Sequence, residues 1–285
     1  MSRPKARFPT AVAAARYARK VVGPIAVAFV LAAIVFWGLE TLWPAPKGLP
    51  RDAPAWRTDL TSWLFGPLVT RVIARAGVVV VVFVASRVAG VELSPQTGIG
   101  PLVQGRWSSE LPLGTQTLLV LLASDFTGYW LHRLFHRGRL WPFHAVHHSS
   151  ERLDWLAAAR VHPVNELVTR IAQAAMLLVL GFDVRVVAAV VPLFSIHALF
   201  IHSAVPWDFG PMRYILTSPS FHRWHHTSQA EGLDKNFSGL FPLWDLLFGT
   251  FYMPRGRMPE RFGVQDEVPP GLWAQLGWPF RATRD

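Results

Sequence analysis

Between Lys20 and Glu40 the sequence carries no charge. The run Val21 to Trp43 is long enough, as a helix of about 35 Å, to cross a hydrocarbon core of about 30 Å. A stretch of this kind is at home in lipid, where every backbone polar group must be satisfied within the helix itself. The residues before it include Arg3, Lys5, Arg7, Arg16, Arg19 and Lys20, with no acid among them. A signal peptide also begins basic and turns apolar, but its apolar core is shorter and ends at small residues. Here the run ends in Glu40, Trp43 and Pro44, so the sequence predicts an anchor that stays in the membrane.

Further apolar runs follow. Ala76 to Ser86 holds the unbroken Val78–Val82 and is flanked by Arg71, Arg75 and Arg87. Leu111 to Leu131 has Asp125 as its single charge. Ile171–Phe182 and Val186–His202 read as the two arms of a helical hairpin around Gly181, Phe182 and Asp183. The hairpin returns the chain to the side it left, so residues 132–166 and 203–285 are expected on one face. Both stretches are rich in Arg, which points to the cytoplasmic side. The basic N-terminus points to the same side, and three crossings before residue 132 would conflict with that. The expectation drawn is that the short valine segment re-enters rather than spans. The alternative places the N-terminus on the other side.

Composition agrees with a membrane chain: 51% of residues are hydrophobic and 16% charged, well below the roughly 25% charged residues of soluble domains. The absence of cysteine rules out thiolate zinc sites, iron–sulfur clusters and cysteine nucleophiles. The net charge of +10 fits an anionic membrane surface; no nucleic-acid recognition motif accompanies it.

The chemistry lies in the histidines. All 11 fall at or after residue 132, and eight form three tight boxes: His132 with His136, then His144, His147 and His148, then His222, His225 and His226. Residues at i, i+3 and i+4 share a helix face, so each box is expected to present its imidazoles together. Imidazole is a ligand for iron, zinc, copper and nickel. Eight imidazoles exceed the four to six positions of one metal, so two metals are expected. His202 closes an apolar arm and is a further ligand candidate. His162, before Pro163, is read as a ligand or as a residue that supports one. His197 reads as a structural histidine.

These residues resemble the fatty acid hydroxylase superfamily, which includes the sterol desaturases. The resemblance covers about residues 111 to 254. It runs through Asp125-Phe-Thr-Gly-Tyr-Trp-Leu-His132-Arg-Leu-Phe-His136, Leu140-Trp-Pro-Phe-His144-Ala-Val-His147-His148, and Pro219-Ser-Phe-His222-Arg-Trp-His225-His226. Arg160-Val-His162-Pro163 and Phe200-Ile-His202-Ser203 look like the intervening histidine positions. Asp234-Lys-Asn236-Phe and Trp244-Asp245-Leu-Leu-Phe-Gly249-Thr250 look like the trailing signature. Ala204 departs from the Asn that many bacterial relatives carry after His-Ser.

The resemblance implies an all-α integral membrane bundle with a histidine-rich helical cap on the cytosolic side. It implies two non-haem iron ions, which zinc can replace in isolated protein, with O2 as co-substrate and a lipid or sterol C–H bond as target. Such a bond offers no acid, base or leaving group, so the metal must carry the redox step. The implied ligands are His132, His136, His144, His147, His148, His162, His202, His222, His225 and His226. Ligating histidines usually donate their other N–H to a carboxylate or carbonyl. Asp125, about two turns before His132, is one expected acceptor; Asp234 and Asp245 are others. Asp154 and Glu166 are weaker candidates. Arg133, Arg137, Arg160 and Arg223 lie among the boxes and read mainly as residues that snorkel to the interface.

The organisation expected is a basic segment over 1–20, membrane segments and loops over 21–110, a catalytic region over 111–254 and a tail over 255–285. With no dinucleotide fingerprint and no haem domain in the sequence, electrons must come from a separate reductase or ferredoxin-type donor. Hydroxylation is the leading reading and desaturation its nearest rival. Zinc hydrolysis would need a carboxylate base inside a box, as in His-Glu-x-x-His, and none is there. A non-oxidative metal-binding membrane protein ranks last, because the boxes flank the spans instead of lying at their midplane.

Overall fold

The computed structural model describes residues 11–103, 106–108 and 110–282, with side chains from residue 19 onward. The basic residues Arg3, Lys5 and Arg7 lie outside the described residues. The fold is all-helical, and among the described residues extended backbone pairs only at isolated bridges. In chain order the α-helices are α1 (Ala11–Leu42), α2 (Ala53–Phe65), α3 (Arg71–Ala89), α4 (Gly100–Val103), α5 (Leu113–Phe135), α6 (Trp141–His148), α7 (Pro163–Leu180), α8 (Val184–His202), α9 (Pro219–His225), α10 (Leu243–Leu247), α11 (Leu272–Gly277) and α12 (Pro279–Ala282).

Four helical stretches are long and apolar enough to cross a membrane: Arg19–Leu42, Ala53–Ala89, Pro163–Leu180 and Val184–His202. Their apolar side chains largely face outward. Leu31, Ile34, Val79, Val80, Phe83, Leu193 and Ile196 are each more than half exposed, as helices solvated by lipid require. The α7–α8 hairpin is as the sequence predicts. Gly181 ends α7 at φ 77°, and a Cβ there would sit 2.4 Å from Arg106 Cβ. Asp183 then caps α8 by accepting from the Arg185 N–H.

The valine segment is not a short re-entrant piece. It belongs to a continuous helical run over residues 53–89, joined by one π-turn at Gly66–Thr70. Pro67 accounts for the turn. It has no N–H to donate to Trp63, and its ring displaces that carbonyl. The Arg71 N–H instead reaches back five residues to the Gly66 carbonyl. α3 lies along α7 at Gly77, where a Cβ would meet Leu167 Cδ1 at 2.6 Å; glycine allows the close approach.

α5, expected as a crossing, has the length but is not among the four stretches long and apolar enough to cross. It packs between α7 and α8 and turns Gln116, Ser124 and Asp125 inward. Val120, Leu177, Phe182, Val186 and Val190 form the core that joins α5, α7 and α8. A second core of Phe36, Trp155 and Leu156, with Phe29, Trp63, Leu199 and Phe200 against it, ties α1 and α2 to the loops beside the histidines.

α1 ends on the histidine side. Glu40 accepts from the backbone N–H groups of Trp155 (3.1 Å) and Ala204 (3.0 Å) and pairs with Lys47 at 2.9 Å. Its start therefore lies at the opposite end of the bundle, so α1, α3 and α5 run in alternating directions before residue 132.

Candidate metal centre

Nine histidines converge at one end of the bundle in two groups. His132, His136, His144, His148 and His225 form one; His147, His202, His222 and His226 form the other. Within each group the nitrogens lie within 4.8 Å of one another. The last turn of α5 and its cap supply His132 and His136, α6 supplies three, the end of α8 supplies His202, and α9 with its cap supplies three. All eight boxed histidines and His202 are thus brought together.

The boxes do not face one way, as the sequence reading had them. Each His-x-x-His-His divides: His144 and His148 turn to the first group and His147 to the second, while His222 and His226 turn to the second and His225 to the first. At 3.6 residues per turn, positions i and i+4 differ by about 40°, but i+3 lies about 100° from i+4. One helical turn therefore presents ligands to two centres at once.

The tautomers follow from the partners. The Nδ1 atoms of His132, His147, His202 and His225 lie 2.7, 3.0, 2.6 and 2.8 Å from the carbonyl oxygens of Phe237, Arg160, Ala198 and Lys235. A carbonyl only accepts, so each Nδ1 carries the proton and each Nε2 is a bare lone pair. His144 Nδ1 meets Asn165 Oδ1 at 2.8 Å, and His136 Nδ1 faces Asp234 Oδ1 at 3.3 Å. The Nε2 atoms point inward: five pairs stand 3.1 Å apart, namely His144–His148, His148–His225, His147–His202, His202–His222 and His222–His226. The Nε2 atoms of His132 and His136 are buried and have no partner among the described residues.

This donor set fits metal. Two nitrogens, each about 2.1 Å from one ion and at right angles, lie about 3.0 Å apart. In the His147–His202 pair both nitrogens are lone pairs, which repel at that separation unless a cation lies between them. The imidazoles are also held neutral, as ligands must be. Burial, then the neighbouring imidazoles, push His144, His148, His225 and His226 well below the ordinary histidine value, and burial takes His147 to about 4.

A strap over residues 234–241 orients the first group. It supplies Asp234 to His136, the Lys235 carbonyl to His225 and the Phe237 carbonyl to His132. Asp234 and Asn236 adopt positive φ, which their short polar side chains tolerate. Asn236 is wholly buried; its side chain donates to the carbonyls of Phe221 and Tyr252 and accepts from the Tyr252 N–H. Asp245 accepts from the N–H groups of Phe237 (2.8 Å) and Ser238 (2.9 Å). Asp125 accepts from those of Gly239, Leu240 and Phe241. Of the three expected acids, then, only Asp234 touches a ligand. Asp125 and Asp245 seat the strap instead of reaching His132, because their carboxylates are already filled by backbone donors.

Several other readings change. His162 stands outside both groups: its Nδ1 accepts from the Val164 N–H and caps α7, while its Nε2 donates to the Leu276 carbonyl, which leaves no lone pair for metal. His197 is structural as expected, with Nε2 2.8 Å from Thr217 Oγ1. Arg160 and Arg223 do not snorkel but are buried. Arg160 pairs with Asp59 of α2, and Arg223 donates to the Leu153 carbonyl and lies 4.8 Å over the Phe262 ring. Asp154 pairs with Arg51, and Glu166 with Arg170. Asn165 was not singled out from sequence; its place in the first turn of α7, three residues after His162, is the signal that could have found it.

The fatty acid hydroxylase family model matches residues 117–250, which contain every histidine of both groups. Just under half of the chain therefore matches the fatty acid hydroxylase family. It is 32% identical over 175 residues to the ornithine lipid hydroxylase OlsE of Rhizobium tropici, covering 61% of this chain and 53% of that protein. It is 34% identical over 131 residues to human alkylglycerol monooxygenase, covering 46% and 29%. It is 28% identical over 129 residues to methylsterol monooxygenase 1 of Rattus norvegicus, covering 44% and 43%. The chain thus spans about half the length of the first of these and under a third of the second. No solved structure matches. That family is one of non-haem iron monooxygenases, and this chain carries a histidine cluster able to bind metal.

Proposed function

We propose that this protein is a membrane-bound lipid hydroxylase that uses O2 and external electrons, with two irons held by the nine grouped histidines. The observation that carries the reading is the set of inward-facing Nε2 atoms in two groups at one end of the bundle. When bound, the iron pair supplies the oxidation of an unactivated C–H bond that side chains cannot perform. The chain's own residues do the rest. The carbonyls of Phe237, Lys235, Arg160 and Ala198 hold each Nδ1 proton in place, so each imidazole enters as a neutral, fixed ligand. Burial of most of the grouped imidazoles limits water around them.

Hydroxylation is favoured over desaturation because the relatives are named hydroxylases and monooxygenases, of an ornithine lipid, an alkylglycerol and a methylsterol. A lipid or sterol is the corresponding substrate here. A separate electron donor is proposed to dock at the polar cleft of about 510 Å³ that opens onto His136, His148 and His225. The histidine end is proposed to face the cytoplasm, where reductases are available. Residues 111–254 are proposed as the catalytic region, braced by Glu40, Arg51 and Asp59 from the helices and loop before it.

The test is elemental analysis of detergent-purified protein, with oxygen uptake measured on a lipid extract with reductant. About two irons per chain and lipid-dependent uptake are expected. Folded protein that takes up no metal even on reconstitution would overturn the reading.

A further inference from the structure

A cavity of about 480 Å³ lies beside the second histidine group, in the size range of small-molecule sites. Its walls come from α1, the π-turn, the start of α7 and the last turns of α8. Ala198, whose carbonyl holds His202, forms part of its wall, and so do Ala159 and Val161 on either side of Arg160, whose carbonyl holds His147. The lining is mainly apolar. Half of it is built from helices before residue 117, outside the stretch the family model matches.

Three features give it polarity. The Thr70 hydroxyl, in the π-turn, is buried and has no hydrogen-bond partner among the described residues. Such a group costs stability unless something else satisfies it. Glu166 is taken by Arg170 at 2.9 Å. Arg71 is exposed on the lining, and no acid pairs with it among the described residues. Arg71 also opens the apolar stretch of α3, and its long side chain can carry its charge to a lipid headgroup.

We infer that this cavity receives the alkyl chain of an anionic lipid, with Thr70 hydrogen-bonded to the polar linkage and Arg71 facing the phosphate or carboxylate. The inference rests on the hydroxylase reading, for which it supplies the substrate class. It also assigns chain selectivity to α1 and the π-turn, the part of the protein that the family match leaves out.

The experiment uses the full chain in detergent and a fatty acid with a diazirine on its chain. After irradiation, labelled peptides are mapped by mass spectrometry, with excess fatty acid, lysophosphatidic acid or cholesterol as competitor. Labelling within residues 24–28, 62–71 and 195–199 is expected. Competition by both anionic lipids supports the shared anionic chemistry, and competition by one of them identifies its source. Competition by cholesterol alone, or label confined to other helices, overturns the inference.

Thr70→Val is expected to weaken labelling about fivefold, the worth of one hydrogen bond, and to leave the lipid-free protein at least as heat-stable. Unchanged labelling would show that the hydroxyl does not meet the lipid. Ala28→Trp, which fills the α1 side, is expected to abolish labelling without changing metal content. If Ala28→Trp keeps full lipid-dependent oxygen uptake, the cavity is not the substrate's chamber and the hydroxylase reading stands. If the wild-type cavity is labelled but metal-loaded protein shows no such uptake, the hydroxylase reading fails and the lipid site remains.

Discussion

His147 and His202 face each other Nε2 to Nε2 across 3.1 Å, and both have committed their Nδ1 protons to backbone carbonyls. Neither nitrogen can donate to the other. A cation between them would relieve the repulsion, so the second group suits a metal ion by its tautomers as well as by its residue types.

Because the histidines sort into two groups, their removal should separate two metals. His147→Ala and His225→Ala each cut one group, and metal content is expected to fall from about two to about one per chain in either variant. Lipid hydroxylation should be lost in both, with membrane insertion intact. Elemental analysis with a turnover assay checks this; full turnover by either variant would sink the catalytic role.

Asn165 Oδ1 stands 2.8 Å from His144 Nδ1 and fixes that ring. Asn165→Leu keeps the volume and removes the acceptor. Metal affinity of the first group is expected to fall about 10- to 100-fold, the usual cost of losing such a partner. Competition with a chelator of known affinity measures it. An unchanged affinity would mean that packing alone holds His144.

Arg51 binds Asp154 through two hydrogen bonds, at 2.9 and 2.6 Å, and also pairs with Asp59, which Arg160 shares. Burial raises the Asp154 carboxyl, but the hydrogen bonds and charge of Arg51, with Arg152, outweigh it and hold the group below its ordinary 3.8. A depressed carboxyl adds stability that is complete above the unfolded value and is lost as pH falls through the folded one. Acid should therefore loosen α2 from the histidine loops below about pH 4. Asp154→Asn should remove this part of the acid sensitivity, which thermal unfolding across pH 3 to 6 would reveal.

Much of this was legible in the sequence because charge in lipid is costly. The anchor and the hairpin follow from uncharged runs with a turn residue between them. The three boxes follow from helical spacing, and two metals from their number. What the sequence hid depends on long-range partners. The valine segment looked too short to span because its helix continues through Pro67 as a π-turn. His162 looked like a ligand until both its nitrogens met the backbone of Val164 and Leu276. Asp125 looked like a partner of His132 from its spacing, but loop 239–241 folds over it from 114 to 116 residues away.

Asp245 offers the sharpest separation of seat from ligand. It touches no histidine, yet it accepts the N–H groups of Phe237 and Ser238 and the Thr250 hydroxyl, and the Phe237 carbonyl aims His132. Asp245→Ala strands two buried backbone donors, at a cost of about 3 kcal/mol. The strap should then release His132, and the first group should lose metal while the second keeps its own. Asp245→Asn retains one acceptor and should fall between the two. A variant stable enough to purify is expected to hold about one metal per chain with His147 and His202 still engaged. If Asp245→Ala bound both metals at wild-type affinity, the strap would not be what orients His132.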